Sequence, residues 1–297
     1  MPLDDKIVHA LTASKHLQDS SHPTADEYDY MKQEQMDQEE MYENDEMLLE
    51  EEAADIPEME LLAMMDAQED SLLAAQRLFT LAGKSREYLV DQLQAITVET
   101  VSQLYETGYA VVDGLVDADL IEMANAAANS LAQMEGAMVA AASDRIEDDP
   151  FRDRQARDDV ICWLHKNEHP ATHPALDAIL EILQTIQQDL ATAIHFRGQT
   201  EYQLSVFKGS GGRFERHRDA FPIDDPQDED QRRATVIVNL SSEAESREGG
   251  IKIFRPLGCE QVLENVPGRV LIFLSGVVDY EVLPVYSTRA SLTSWIR

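Results

Sequence analysis

Apolar positions along the chain follow two successive rhythms. Between residues 97 and 194 they recur at helical spacing. Thr97 to Thr107 predicts a helix with Thr97 as N-cap and Gly108 closing it. Tyr109 to Asp113 predicts a short strand, and Asp117 caps an Ala-rich helix that runs to about Met134. A second long helix is expected from Ala175 to Ile194. After Gln199 the rhythm changes to short β-branched and aromatic runs separated by Gly, Pro and Asp. These are Tyr202–Phe207, Ala234–Leu240, Ile251–Phe254, Val270–Leu274, Tyr280–Val285 and Ala290–Ile296. Helices first and many short strands after predict an α+β fold: a jelly-roll core over about 200–297 behind a helical buttress. The folded domain is expected to span 86–297.

Residues 1–85 have a different texture. They hold 22 of the 57 acidic side chains and 5 of the 24 basic ones, a net of −17, with eight of the eleven methionines and one glycine, Gly83. Through Glu46 there is no sustained apolar periodicity, so this part is expected to be disordered. From Met47 to Leu81 good helix formers predominate, and Leu61, Met64, Met65, Leu72, Leu73 and Phe79 can form a stripe. The bland expectation is a solvated, partly helical extension. The sharper ones are a docking helix for a partner protein, or a lid on the domain's own basic mouth. Either way, 1–85 is expected to be dispensable for folding.

Composition narrows the function classes. A net charge of −33 disfavours nucleic acid and anionic membrane as partners. Cys162 and Cys259 lie far apart without CxxC spacing, which disfavours a disulfide framework or a thiolate zinc site. The N-terminus lacks an apolar signal core, and no apolar stretch reaches the roughly 18 residues of a membrane span. A cytoplasmic location, or a nuclear one, is therefore expected.

The candidate chemistry lies on the strands. His217-x-Asp219 follows the run Gly209-Ser-Gly-Gly212. Residues i and i+2 on a strand share a face, so an imidazole and a carboxylate there can reach one divalent cation such as Fe(II). A polar strand end is the plainer alternative. Arg289 lies on the final strand with Ser291 and Thr293 alternating beside it; a buried guanidinium calls for an anion. Glu248-Gly249-Gly250 puts permissive backbone before a strand, and Arg157-Asp158-Asp159 precedes the apolar run Val160–Leu164. His165, His169 and His173 are spaced by four but Pro170 interrupts the register, which predicts loop residues. His195 is expected at a helix end, and Trp163 and Trp295 in the core. Arg213, Arg216, Arg218, Arg232 and Arg233 are expected around the site mouth, where they could attract an acidic peptide.

The segments RDDVICWL, FKGSGGRFERHRDAFP, RRATVIVNLS, EGGIKIF and DYEVLPVYSTRASLTSWIR, taken in order, resemble the signature blocks of the prolyl 4-hydroxylase-like iron- and 2-oxoglutarate-dependent dioxygenases. That family includes the hypoxia-sensing prolyl hydroxylases. The resemblance runs from about residue 86 to the C-terminus and implies a double-stranded β-helix. It implies Fe(II) as the metal, 2-oxoglutarate as co-substrate, ascorbate as an accessory, and a protein or peptide side chain as substrate. It matches His217 and Asp219 to the first two iron ligands and Arg289 to the clamp on the distal carboxylate of 2-oxoglutarate. Tyr280, in Tyr280-Glu281-Val282, stands where the family has its third ligand, a histidine. Phe207 and Asn239 stand in the co-substrate pocket where close relatives carry tyrosines, with Ser291 beside them. Tyr280 is expected either to ligate as a phenolate or to swing aside. An oxygenase with an atypical third ligand is thus one expectation, and a catalytically impaired interaction module is the other.

Overall fold

The computed structural model describes residues 69–81, 84–141, 157–164, 173–221, 230–242, 249–255 and 259–297. The expectations for residues 1–68, and for His165 and His169, lie outside these. Met59–Arg297 is one compact unit. Residues 69–76 form helix α1, and Ala75 and Leu78 are buried in the main core, with Leu72 and Phe79 packed against it. The Thr80 amide donates to Ala193 O (2.7 Å), and the Phe79 and Tyr105 rings meet edge-on at 5.1 Å. The domain thus begins before the boundary at 86, because the apolar stripe of α1 has a core to cover.

Four more helices follow: α2 (Arg86–Gln92), α3 (Val98–Thr107), α4 (Ala118–Gln133) and α5 (Pro174–Ala191). The ends of α3 match expectation. The Thr97 side chain accepts from Thr100 N, and Gly108 takes the left-handed conformation, φ 81°, that a side chain would strain. Asp117 accepts from Asp119 N at the start of α4. Helix α5 buries Leu176, Ile179, Leu180, Leu183, Ile186 and Leu190, each worth about 1.5–3 kcal/mol when fully removed from water. On the same helix Asp189 is buried. Its carboxylate accepts from the backbone amides of Gln94, Ala95 and Ile96 at 2.6–3.0 Å, which fastens the α2–α3 connection to the buttress.

Among the described residues, eleven strands make two facing sheets: β1 (Tyr109–Val112), β2 (Val139–Ala140), β3 (Asp159–Trp163), β4 (Glu201–Phe207), β5 (Gly212–His217), β6 (Ala234–Asn239), β7 (Ile251–Arg255), β8 (Cys259–Leu263), β9 (Val270–Leu274), β10 (Asp279–Val285) and β11 (Arg289–Ile296). The larger sheet runs β1-β9-β6-β11-β4-β3-β2 and the smaller β5-β10-β7-β8. Strand pairs are antiparallel throughout, giving the double-stranded β-helix. Strands β6, β9 and β11 are buried along their whole length, since helices cover one face of their sheet and the smaller sheet the other. Gly249 and Gly250 permit close approach at the mouth of β7 rather than mere flexibility. A Cβ on Gly249 would lie 2.4 Å from Val285 Cγ2, and one on Gly250 2.6 Å from Leu263 O.

Candidate active site

Strands β5 and β10 pair with His217 opposite Tyr280. Their rings lie 4.3 Å apart, and Phe214 stacks on His217 at 3.7 Å. His217 Nδ1 is 2.7 Å from Glu215 O. A nitrogen facing a carbonyl carries the proton, so Nε2 presents its lone pair. That Nε2 is buried without a hydrogen-bond partner and lies 3.6 Å from Asp219 Oδ1. Burial pushes the His217 pKa down despite the neighbouring Asp219 charge, which favours the neutral imidazole a metal requires. The shared-face expectation needs one correction: β5 ends at His217, and Asp219 lies in the bend beyond it. The two side chains converge because the chain turns there, anchored by Ala220 N donating to Ser275 O (3.1 Å).

Asp219 is held from behind. Its Oδ2 accepts from Thr235 Oγ1 (2.7 Å) and from Trp295 Nε1 (2.9 Å). Trp295 is therefore more than core, and Trp163, 40% exposed, is not core at all. Tyr280 does not swing aside. Its hydroxyl donates to Asp219 Oδ1 at 3.3 Å, while burial, then the Asp219 charge, push its pKa well above the ordinary phenol. Asp279 and Glu281 point away from Tyr280, as the alternation requires; Asp279 accepts from Arg216 and Arg218. Among the described residues, no group of three His, Cys, Asp or Glu side chains could hold a metal. His217 Nε2 and Asp219 Oδ1 are the two conventional metal donors brought together here, with the phenol of Tyr280 beside them.

Arg289 is fully buried, and burial pushes its pKa down to about 10. Among the described residues it forms no ion pair, and its hydrogen bond runs from Nε to Asn265 Oδ1 (3.2 Å). The Phe207 ring centre lies 5.8 Å from its guanidinium carbon. Arg289 lines two small cavities. One, of about 30 Å³, is lined by Arg157, Asp159, Phe207, Tyr280, Arg289 and Ser291 among others. The second, of about 20 Å³, includes Asn239, Asn265 and Arg269. Each has room for about one water. Asn239 donates from its amide to Val266 O (2.7 Å) and accepts from Ser241 N (3.2 Å).

The buried pair formed by Arg157 and Asp159 was visible in the sequence only as a charged run. Its two hydrogen bonds are 2.6 and 2.8 Å. Arg157 also donates to Gln203 (3.1 Å) and lies over the Phe214 ring, and the Ser205 hydroxyl donates to Asp159. Outside, a cavity of about 780 Å³ leads to His217 and Asp219 between Arg216, Arg218, Phe221 and Arg232. The arginines of this mouth are largely neutralised, with Arg216 and Arg218 on Asp279 and Arg232 on Glu201. Two arginines expected there line it nowhere. Arg213 pairs with Glu215 at the surface, and Arg233 is buried with its guanidinium on His195 O.

The profile of the 2OG-Fe(II) oxygenase superfamily matches residues 202–297. A prolyl-4-hydroxylase from Pseudomonas putida is 26% identical, with 67% of this chain and 97% of that one covered, and a TM-score of 0.51. A prolyl hydroxylase from Trichoplax adhaerens, solved with a peptide fragment of the hypoxia inducible factor oxygen degradation domain, is 19% identical. It covers 71% of this chain and 90% of its own, with a TM-score of 0.55. No curated protein sequence matches the chain.

Proposed function

We propose that the chain, whose residues 202–297 match the 2OG-Fe(II) oxygenase superfamily, is an iron- and 2-oxoglutarate-dependent oxygenase hydroxylating a protein or peptide side chain. The observation that carries this reading is the buried, unpartnered Nε2 of His217 facing Asp219 Oδ1 at 3.6 Å. A buried lone pair beside a carboxylate is costly unless a cation or a proton donor meets it.

His217 Nε2 and Asp219 Oδ1 would hold the metal, and Tyr280 Oη would flank it. When bound, Fe(II) and 2-oxoglutarate supply dioxygen activation, with 2-oxoglutarate as the two-electron reductant. The protein's own part is orientation and exclusion of water. The Glu215 carbonyl fixes the His217 tautomer, Thr235 and Trp295 fix Asp219, and such outer partners typically change metal affinity by about 10–100-fold. Arg289 would take the distal carboxylate of 2-oxoglutarate, with Phe207 and Ser291 shaping the space beside it. The outer cavity is large enough for a side chain with its flanking backbone, and the peptide carried by the Trichoplax adhaerens neighbour supports that substrate class. Ascorbate has no distinct contact to argue from.

A second reading, a catalytically impaired module retained for protein contacts, is favoured by Tyr280 hydrogen-bonded to Asp219 and by the small cavities around Arg289. Anaerobic titration separates the two. The oxygenase reading expects an optical charge-transfer band when 2-oxoglutarate is added to the Fe(II)-treated protein, and a featureless spectrum at saturating iron refutes it.

A further inference from the structure

We propose that Phe214 is a positioning residue for the metal-binding imidazole: its ring sets the plane in which His217 aims Nε2 at Asp219. This rests on the oxygenase reading above. The observation behind it is a break in strand register. Tyr280 stands opposite His217 and Val282 opposite Phe214, so two steps along β10 match three along β5. Strand β5 therefore carries one extra residue, a β-bulge, between Phe214 and His217. Residues three apart on a regular strand face opposite sides. The bulge turns both side chains to the face that carries Tyr280 and Val282. The Glu215 carbonyl that accepts from His217 Nδ1 (2.7 Å) lies inside the same bulge.

A histidine χ2 torsion is broad, and one hydrogen bond at Nδ1 leaves the ring free to tilt about it. Of the two rings beside His217, Tyr280 is tilted by 53° at 4.3 Å, whereas Phe214 is within 18° of parallel at 3.7 Å. Phe214 is the contact that defines the plane. It is itself held in place. The Arg157 guanidinium carbon lies 4.4 Å from its ring centre, and Arg157 is tied to Asp159 at 2.6 and 2.8 Å and to Gln203 at 3.1 Å. Phe214 also packs against Phe207, Val282 and Val285. Strand β5 is an outer strand of the smaller sheet. The residues leading into β3 close over it, with Arg157 bridged to Phe214 and the Asp158 amide donating to Arg213 O (3.1 Å). The ring that orients His217 is thus anchored to the opposite sheet.

The test takes two readings on the full chain. Titration with Co(II) gives the metal affinity. NMR of the metal-free protein with isotope-labelled histidine gives the tautomer of the His217 ring, whose signals are those missing from His217→Ala. Phe214→Leu keeps an apolar side chain but removes the flat face, whereas Phe214→Tyr keeps the face. The leucine variant should bind Co(II) about 10–100-fold more weakly, the range for a lost outer partner of a metal ligand, and its His217 ring should mix both tautomers. The tyrosine variant should keep both wild-type readings. If the leucine variant does not fold, Arg157→Lys, which keeps a charge for Asp159 but removes the planar group over Phe214, should move both readings in the same direction. Wild-type affinity in Phe214→Leu overturns the inference. So does weaker binding with the His217 signals unmoved, or a tyrosine variant as weak as the leucine one. If the unaltered chain binds no Co(II), the metal assignment falls and this inference with it. Failure of the Phe214 variants alone leaves the oxygenase reading standing.

Discussion

Replacing Arg289 by methionine should make the unliganded protein more stable and deaf to 2-oxoglutarate. Burial holds this guanidinium at about 10, well below the ordinary arginine range, a difference equivalent to roughly 3 kcal/mol. The sign is unfavourable. Below pH 10 the folded and unfolded chains are both protonated and the full penalty applies. Above about 10 the folded chain releases its proton first and the penalty fades. Arg289→Met removes the charge while keeping much of the apolar stem, at the cost of one hydrogen bond to Asn265, about 1 kcal/mol. A net gain of about 1–3 kcal/mol, or roughly 2–10 °C in melting temperature for a domain of this size, is expected. Wild type at a ligand concentration of about 100 Kd gains about 2.7 kcal/mol. Losing the ion pair costs about 3–5 kcal/mol of binding, so at the same concentration the variant gains less than about 0.5 kcal/mol. Scanning calorimetry of both proteins at pH 7.5, with and without 2-oxoglutarate, reads all four states. A variant that melts below wild type yet keeps the full ligand shift refutes both the buried-charge argument and the assignment of this arginine.

Further outcomes follow from the same geometry. His217→Ala should abolish stoichiometric Fe(II) binding by anaerobic titration, and undiminished affinity would remove the metal assignment. Tyr280→His should free Asp219 Oδ1 and raise 2-oxoglutarate turnover; a slower variant would make Tyr280 a functional specialisation. Shortening the chain to 59–297 should leave its cooperative melting intact. Starting at 86 instead strips Leu78 and Phe79 from the core, about 3–6 kcal/mol, and a fully stable 86–297 chain would show that α1 packs for nothing. Cys162, buried with its thiol pushed up to about 11, should resist iodoacetamide at pH 8 in the native state, and rapid labelling by peptide mapping would contradict its placement.

Legibility in the sequence followed burial. Strands with both faces covered, such as Val270–Leu274, announce themselves as unbroken apolar runs. Gly212–His217 and Cys259–Leu263 are the outer strands of the smaller sheet and alternate too weakly to be seen. The caps Thr97, Gly108 and Asp117 were readable because capping is local chemistry. Residues 69–81 were assigned to the extension because acidic composition outweighed a short stripe whose partner, the end of α5, lies more than a hundred positions away. At the site, His217, Asp219, Tyr280 and Arg289 could be named from spacing and resemblance. The roles of Trp295 and Thr235 could not. Each depends on one hydrogen bond to a residue distant in sequence, and a Trp or a Thr carries no signature that distinguishes a donor aimed into a site from ordinary packing.

The chain contains two tryptophans, and both stand at the same corner of the barrel. Trp295 donates its indole N–H to Asp219 at 2.9 Å, carries the Arg232 guanidinium 4.2 Å above its ring, and lies 5.7 Å from Trp163. All of the protein's indole emission therefore originates beside the proposed ligand pair, His217 and Asp219. A cation arriving at Asp219 draws electron density from the oxygen pair that Trp295 contacts, and a paramagnetic one adds its own quenching. The molecule carries a label-free optical gauge of its site, readable in dilute solution without modifying a single residue.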